Sequence, residues 1–144
     1  MFVIILSSNC FIVFIMSLKP TDGELEILKV LWKHGPSNVR LVNEQLNLQK
    51  DVGYTTTLKL MQIMYEKGLL DRKKSGKTHI YRALITEEST QKQLINRLLD
   101  TAFQGSAMKM VMQALGSRSS TKAELDEIRD FLDQLEQNDE KDKS

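Results

Sequence analysis

The sequence predicts a mainly α protein: a winged helix-turn-helix domain with a small β wing, followed by a C-terminal helical region. Three observations predict this fold. Three amphipathic helical segments come first, a short basic hairpin with the alternation of two strands follows, and three more amphipathic segments fill the second half. Each element alone is common, so the prediction depends on their order and spacing.

The first predicted helix begins at a capping box, Thr21–Glu24, in which a short hydrogen-bond acceptor precedes a carboxylate by three residues. Leu25, Leu28 and Trp32, flanked by Ile27 and Leu31, then form one apolar face at helical spacing. The pair Gly35–Pro36 is expected to end this helix.

Two further helices are expected before the hairpin. Ser37 or Asn38 can cap the second, and the third runs from about Tyr54 to Lys67, with Gly68 as its C-terminal stop. The apolar residues that these two helices are expected to turn inward are Val39, Val42, Leu46, Leu60, Met61 and Met64.

The period changes after Gly68. Leu69–Lys74 is predicted to be a short strand, Ser75–Gly76 a turn, and Lys77–Arg82 the returning strand. The hairpin has one acid, Asp71, and five cations, which are Arg72, Lys73, Lys74, Lys77 and Arg82. A basic hairpin directly after three helices is the arrangement of a wing.

The second half is predicted to be a helical dimerisation region. Thr86 or Ser89 opens its first helix, the second runs from about Ser106 to Leu115, and a capping box at Thr121–Glu124 opens the third. Short amphipathic helices after a complete domain usually bury their apolar faces against a second copy. The expected dimer interface comprises Leu94, Ile95, Leu98, Leu99, Met108, Val111, Met112, Leu115, Leu125, Ile128, Leu132 and Leu135.

These elements divide the chain into a winged-helix domain at residues 17–85, a dimerisation region at 86–137 and a charged flexible tail at 138–144.

The net charge of +1 conceals an asymmetry between the halves. Residues 17–84 contain 12 Lys and Arg against 7 Asp and Glu, whereas residues 85–144 contain 8 against 12. Such a difference is typical of a chain whose first half meets a polyanion and whose second half meets protein.

Residues 1–16 form an apolar extension that fits neither targeting template. The segment is shorter than the span of about 20 residues that a membrane helix needs, and it lacks the cationic start of a secretory signal. We interpret it as a gene-calling artefact, with translation starting at Met16. The alternative is a membrane anchor.

The start of the third helix is the candidate DNA-reading element. Helical spacing puts Thr55, Thr56, Lys59 and Gln62 on the face opposite its apolar residues, where they could contact base edges. Candidate phosphate contacts are Arg40, Arg72, Lys73, Lys74 and Lys77. Either set could instead be an ordinary solvated face, but a basic hairpin directly after the candidate DNA-reading helix favours phosphate contact. The alternative for the basic wing is an acidic protein partner.

No pattern indicates an enzyme, a cofactor or a metal site. No nucleophile–base spacing or phosphate-binding glycine loop is present. His34 and His79 are far apart and have no Cys or acidic partner nearby, so His34 is interpreted as a helix C-terminal residue and His79 as a packed or exposed one. Cys10 alone cannot form an internal disulfide, which fits a reducing compartment such as the cytoplasm. Trp32 and Tyr65 are expected to pack on or beside the core.

Three stretches together resemble the penicillinase-repressor (BlaI/MecI) family: LEILKVLW, YTTTLKLMQIMYEKGLLDRKKSGKTHIYRAL and AELDEIRDFL. The resemblance covers residues 18–137. It implies a bacterial cytoplasmic homodimer that represses transcription from palindromic operators of β-lactam-resistance or related genes, with Thr55, Thr56 and Lys59 where members contact bases. It also implies an intertwined dimer formed by the C-terminal helices, and a membrane sensor-protease as a candidate partner.

The sequence departs from the family pattern at several positions. Leu58 stands where staphylococcal members have Arg, so a different operator sequence is expected. Members that control resistance operons are cleaved at an Asn–Phe bond, and Gln113–Ala114 stands at that position here, which puts proteolytic control in doubt. The copper-responsive members end in paired cysteine motifs, which this chain lacks after Met16.

Overall fold

The computed structural model describes residues 19–143, and within that range it confirms the predicted mainly α fold with a two-stranded wing. The elements are α1 (Asp22–His34), α2 (Val39–Leu46), α3 (Tyr54–Glu66), β1 (Leu70–Ser75), β2 (Thr78–Ala83), α4 (Glu87–Ala102), α5 (Ala107–Ser117) and α6 (Lys122–Asp142). The apolar extension at residues 1–16 lies outside the described residues, so its interpretation stays a prediction. Within residues 19–143, no helix is long and apolar enough to cross a membrane.

Local sequence signals set the ends of the first helices. The capping box is present: the Glu24 amide donates to Thr21 Oγ1 at 3.3 Å, and the Thr21 amide donates to Glu24 Oε2 at 3.0 Å. Of the two candidate caps for α2 it is Asn38 that caps, with its Oδ1 accepting from the Leu41 amide at 2.9 Å. Gly35 and Gly68 follow α1 and α3 with φ of 77° and 82°, a conformation that favours glycine.

The core of the winged-helix domain is formed by α1–α3 and the hairpin. Its buried apolar residues are Ile27, Leu28, Leu31, Val39, Val42, Leu46, Met61, Met64, Leu69, Leu70 and Tyr81. Trp32 is half-buried and its indole Nε1 donates to the Ile85 carbonyl at 2.9 Å. Leu60, expected inside, is also only half-buried, because it lies at the margin of the inward face of α3.

An ion pair between a buried carboxylate and a partly exposed ammonium joins the start of α1 to the end of α3. The Glu24 side chain is 2% exposed, and its Oε1 lies 2.6 Å from the Nζ of Lys67. The same carboxylate also accepts the Thr21 amide, so the charge is both paired and hydrogen-bonded. This satisfies the condition under which a buried charge is tolerated.

The hairpin is antiparallel, and an isolated β-bridge attaches its second strand to the segment before α2. Residue Ser37, just before α2, exchanges two backbone hydrogen bonds with Tyr81 of β2, at 2.9 and 2.8 Å. Because Tyr81 is itself buried, the base of the wing is fixed both by backbone pairing and by side-chain packing.

The chain divides into two compact units between Arg97 and Leu98, inside α4, rather than after residue 85. The first turns of α4 belong to the winged-helix unit, and in them Thr90 is buried, with its hydroxyl donating to the Thr86 carbonyl at 2.8 Å. In the second unit, α5 is capped by Ser106 and α6 begins at the predicted capping box of Thr121.

Helix α6 continues to Asp142, so residues 138–142, expected as part of a flexible tail, are helical. The segment contains neither Gly nor Pro, and its Lys141 lies in the last turn, where a cation favours the helix dipole. The absence of Gly and Pro and the cation in the last turn therefore favour a helix that continues beyond its last apolar residue.

Candidate nucleic-acid interface

The outward face of α3 gathers the four residues that the sequence predicted for base contact. Thr55, Thr56, Lys59 and Gln62 are all exposed, while Thr57, Met61 and Met64 on the opposite side of the helix are buried. The face presents two hydroxyls, an ammonium and an amide, which together can donate to and accept from base edges. We call this set the recognition face.

A polar clamp between α2 and α3 fixes which residues of α3 point outward. Asn43 Nδ2 lies 2.8 Å from the Val52 carbonyl and 2.9 Å from Thr57 Oγ1, and donates to both. Asn47 pairs with Val52 through its amide group, donating to the carbonyl at 2.9 Å and accepting from the backbone N–H at 3.0 Å. Thr57 is fully buried, so its hydroxyl accepts the Asn43 hydrogen bond inside the fold, whereas the Asn47 bonds are exposed.

The clamp was not predicted from the sequence. Thr57 belongs to a run of three threonines and only its burial distinguishes it, while Asn43 and Asn47 resemble ordinary polar residues of a helix and loop. The available signal was spacing: Thr57 lies on the same face as Met61 and Met64, where a polar group needs a partner.

The cations of the hairpin are distributed over two faces. The register pairs Arg72 with Tyr81 and Lys74 with His79 on one face, and Asp71 with Arg82 on the other. Since alternate residues of a strand point to opposite sides, and Tyr81 is buried against the helices, the first pairs face the interior side of the wing. The predicted phosphate contacts Lys73 and Lys74 therefore point to different sides of the hairpin.

Arg72 packs between the wing and α3. Its guanidinium carbon lies 4.1 Å from the centre of the Tyr65 ring, a cation–π distance. A side-chain hydrogen bond to Tyr81 raises the pKa of Arg72 above its ordinary value, with further contributions from Tyr65. Tyr65, expected beside the core, is 37% exposed because its ring covers Arg72 rather than entering the core.

Arg82 differs from the other wing cations because its charge is compensated. Its Nη2 lies 3.0 Å from Asp71 Oδ2, and this hydrogen bond, followed by one from the Arg72 backbone, lowers the pKa of Asp71. Lys73, Lys74 and Lys77 are all exposed. These three lysines are the wing cations best placed to meet an external anion.

A groove of about 590 Å³ separates α3 from the wing. We call it the wing groove, and it is lined by Asn38, Val39, Arg40, Tyr54, Leu58, Gln62, Arg72, Lys77, Thr78, His79 and Tyr81. Among these described lining residues none is acidic. Arg40 makes an exposed i,i+4 pair with Glu44 at 3.1 Å, an interaction weak enough to exchange for another anion.

Two other sequence-based expectations concern the cleavage position and metal binding. Gln113 and Ala114, which the resemblance places at the family's cleavage position, are exposed residues inside α5. Across residues 19–143, no cluster of three or more His, Cys, Asp or Glu side chains could hold a metal ion.

The clamp generates a prediction about Thr57→Val. Removal of the Oγ1 acceptor costs about 1 kcal/mol, so backbone amides in the first turns of α3 are expected to exchange about fivefold faster with solvent. Hydrogen exchange followed by mass spectrometry measures this. Thr90→Val is the matched control, since Thr90 is another buried threonine with a hydroxyl hydrogen bond, but in α4. Unchanged exchange in α3 of the Thr57 variant would contradict the clamp.

Comparisons with known proteins find a matching family and several relatives. The penicillinase repressor family model matches residues 20–134. The methicillin resistance regulatory protein MecI of Staphylococcus aureus is 23% identical over 112 residues, covering 78% of this chain and 91% of the relative. The penicillinase repressor of Bacillus licheniformis is 25% identical over 114 residues, covering 79% and 89%.

A solved structure of the DNA-binding domain of the repressor BlaI is 30% identical, with a TM-score of 0.45, and covers 49% of this chain and 87% of that one. A solution structure of monomeric BlaI from Bacillus licheniformis in complex with the blaP half-operator is 29% identical, with a TM-score of 0.44 and coverage of 50% and 88%. Since the family model spans most of the 144 residues, this chain belongs to the penicillinase repressor family.

Proposed function

We propose that this protein is a transcriptional repressor that binds palindromic operator DNA in a sequence-specific manner as a homodimer. The observation that carries the proposal is the recognition face of α3, exposed on a helix that is held by the Asn43 hydrogen bond to the buried Thr57 and flanked by a basic wing. The proposed activity is binding in the cytoplasm, with no catalytic step and no cofactor.

The recognition face has the chemistry of direct base readout. Lys59 can donate to the O6 and N7 acceptors of guanine, and Gln62 can form a bidentate pair with adenine. The hydroxyls of Thr55 and Thr56 can donate or accept, and their methyl groups can contact thymine. An α-helix fits the major groove of B-DNA, where the pattern of donors and acceptors differs for each base pair.

The wing supplies contacts that fix register without reading sequence. Lys73, Lys74 and Lys77 are proposed to contact phosphates, and Arg40 to contact another from the start of α2. For Arg72 we propose a phosphate contact at the wall of the wing groove, where stacking on Tyr65 holds its guanidinium in position. Phosphate contacts of this kind make the affinity decrease steeply with salt.

Family membership supports the regulatory role. The relatives are described as a methicillin resistance regulatory protein and as penicillinase repressors. By extension, β-lactam-resistance genes or related genes are the proposed targets. Leu58 lines the wing groove beside the recognition face, so its difference from the staphylococcal relatives is expected to alter which operator is bound.

The homodimer is proposed from the apolar faces of the C-terminal helices. Large apolar side chains remain exposed in the single chain, including Ile95, Leu98, Met108, Val111, Met112, Phe131, Leu132 and Leu135. Met108 is 72% exposed, an unusual state for a large apolar side chain in a row of others. A two-fold dimer would bury these faces and present two α3 helices to successive major grooves.

Selection of genomic DNA fragments on the purified protein tests the repressor proposal. One dyad-symmetric sequence is expected to be enriched, with half-sites about 10 base pairs apart or a multiple of that. Lys59→Ala is expected to lose or relax the enrichment, because it removes a base contact worth about 1–3 kcal/mol. Lys29→Ala, which removes an exposed lysine of α1, is the control and should retain it. Weak, salt-sensitive binding of every fragment would instead favour a protein-interaction module.

Leu132→Asp tests the dimer. Because it puts a charge into the proposed apolar interface, we expect it to convert the protein from dimer to monomer at micromolar concentration. Sedimentation velocity reports the mass directly. Gln134→Asp adds the same charge two residues along α6, on a different side of the helix, and should leave the dimer intact. Monomeric wild-type protein, or a dimeric Leu132 variant, would contradict the proposed interface.

A further inference from the structure

His79 occupies a defined position in the wing groove. It lies on β2 two residues before the buried Tyr81, so both side chains project to the same side of the hairpin. The two rings are 6.3 Å apart between centroids, at an interplanar angle of 59°. The imidazole is exposed. It is therefore held at the groove wall by the strand and remains open to a ligand.

The groups around His79 are cationic or phenolic. Lys74 faces it across the hairpin, Lys77 lies in the adjacent turn, and Arg72 comes from β1. The remaining titratable side chains that line the groove are Arg40 of α2, Tyr54 of α3 and Tyr81 of β2. Of the acids near this region, Glu44 pairs with Arg40 and Asp71 pairs with Arg82 on the other face of the wing.

The cations that line the groove favour an anion there. A phosphate held in the groove would favour the protonated form of an imidazole beside it, since an opposite charge stabilises the charged form. The protonated imidazole would then donate a charge-assisted hydrogen bond, which is roughly twice as strong as a neutral one.

We propose that the wing groove holds a phosphate of the operator backbone and that His79 binds this phosphate in its protonated form. The inference rests on the proposed DNA-binding function and adds to it a dependence of operator affinity on pH. Binding takes up one proton for each protomer, so the operator affinity rises as pH falls through the range in which an imidazole titrates, pH 5 to 8. The additional affinity is present at the acidic end of that range and is lost as pH rises.

The proton-linked contact has two measurable consequences. Between about pH 8 and pH 6 the operator affinity of the dimer is expected to increase about tenfold or more, as linkage requires when the complex holds more protons than its components. The log–log salt slope should also become steeper, by about 0.9 for each additional phosphate that the protein neutralises. A histidine that only supported the fold would leave the salt slope unchanged.

The experiment measures fluorescence anisotropy of the full-length protein with its selected operator, across salt and at both pH values. His79→Gln retains a hydrogen-bonding side chain without the titratable charge, and is expected to lose most of the pH dependence and the change in slope. The chain has two histidines, and His34→Gln, at the end of α1, is the matched control that should behave as wild type.

The possible results separate the two proposals. Absence of specific binding by wild-type protein at either pH would overturn the repressor function itself. Specific binding at pH 8 that does not strengthen at pH 6 would overturn only the role of His79. Equal pH dependence in wild type and His79→Gln would do the same. Loss of the pH dependence in His34→Gln alone would assign the proton to the other histidine and also reject the inference.

Discussion

The orientation of α3 depends on the hydrogen bonds that Asn43 donates to Thr57 and Val52. Apolar packing of Met61 and Met64 buries one side of the helix, but the hydrophobic effect has no direction and fixes rotation only loosely. A buried hydrogen bond does have direction, and an unpaired buried polar group costs about 1–3 kcal/mol. Rotation of α3 about its axis would break the contact to Thr57, so the clamp determines which residues face outward.

The second constraint is the attachment of the wing. Ser37 pairs with Tyr81 through the backbone, and Arg72 stacks on Tyr65 of α3. These contacts join the hairpin to the start of α2 and to α3, and they hold the walls of the wing groove in place. Preorganised walls reduce the entropy that binding must overcome. The groove and the recognition face therefore form one surface, with the proposed base-contacting groups on the helix and cations on the wing.

Much of the fold could be predicted because the relevant signals are local. Thr21–Glu24 defines the start of α1, Gly35 and Gly68 require positive φ, and the change from helical to strand period marks the hairpin. The exposure of Thr55, Thr56, Lys59 and Gln62 followed from the same helical spacing. Features set by tertiary partners could not be predicted in this way. The roles of Asn43 and Thr57 appear only when α2 meets α3.

The contrast between local signals and tertiary partners also explains where single residues differ from the sequence-based expectation. Tyr65 has an apolar ring and suitable spacing for the core, but its partner Arg72 comes from the next element and keeps it at the surface. The sequence showed that His79 alternates with Tyr81, but not that Arg40 of α2 and Tyr54 of α3 close the groove around it. The unit boundary lies inside α4, whose first turns contain the buried Thr90, and periodicity alone does not report that burial.

The central claim is that the exposed face of α3 reads base edges in the major groove. Chemical interference on the selected operator tests it most directly, because guanine N7 methylation blocks the major groove and phosphate ethylation blocks the backbone. We predict that methylation of guanines in two patches, one in each half-site, abolishes binding, and that ethylation interferes beside them. Interference by phosphate ethylation alone would contradict the claim, since the protein would then hold DNA by its backbone without reading the sequence.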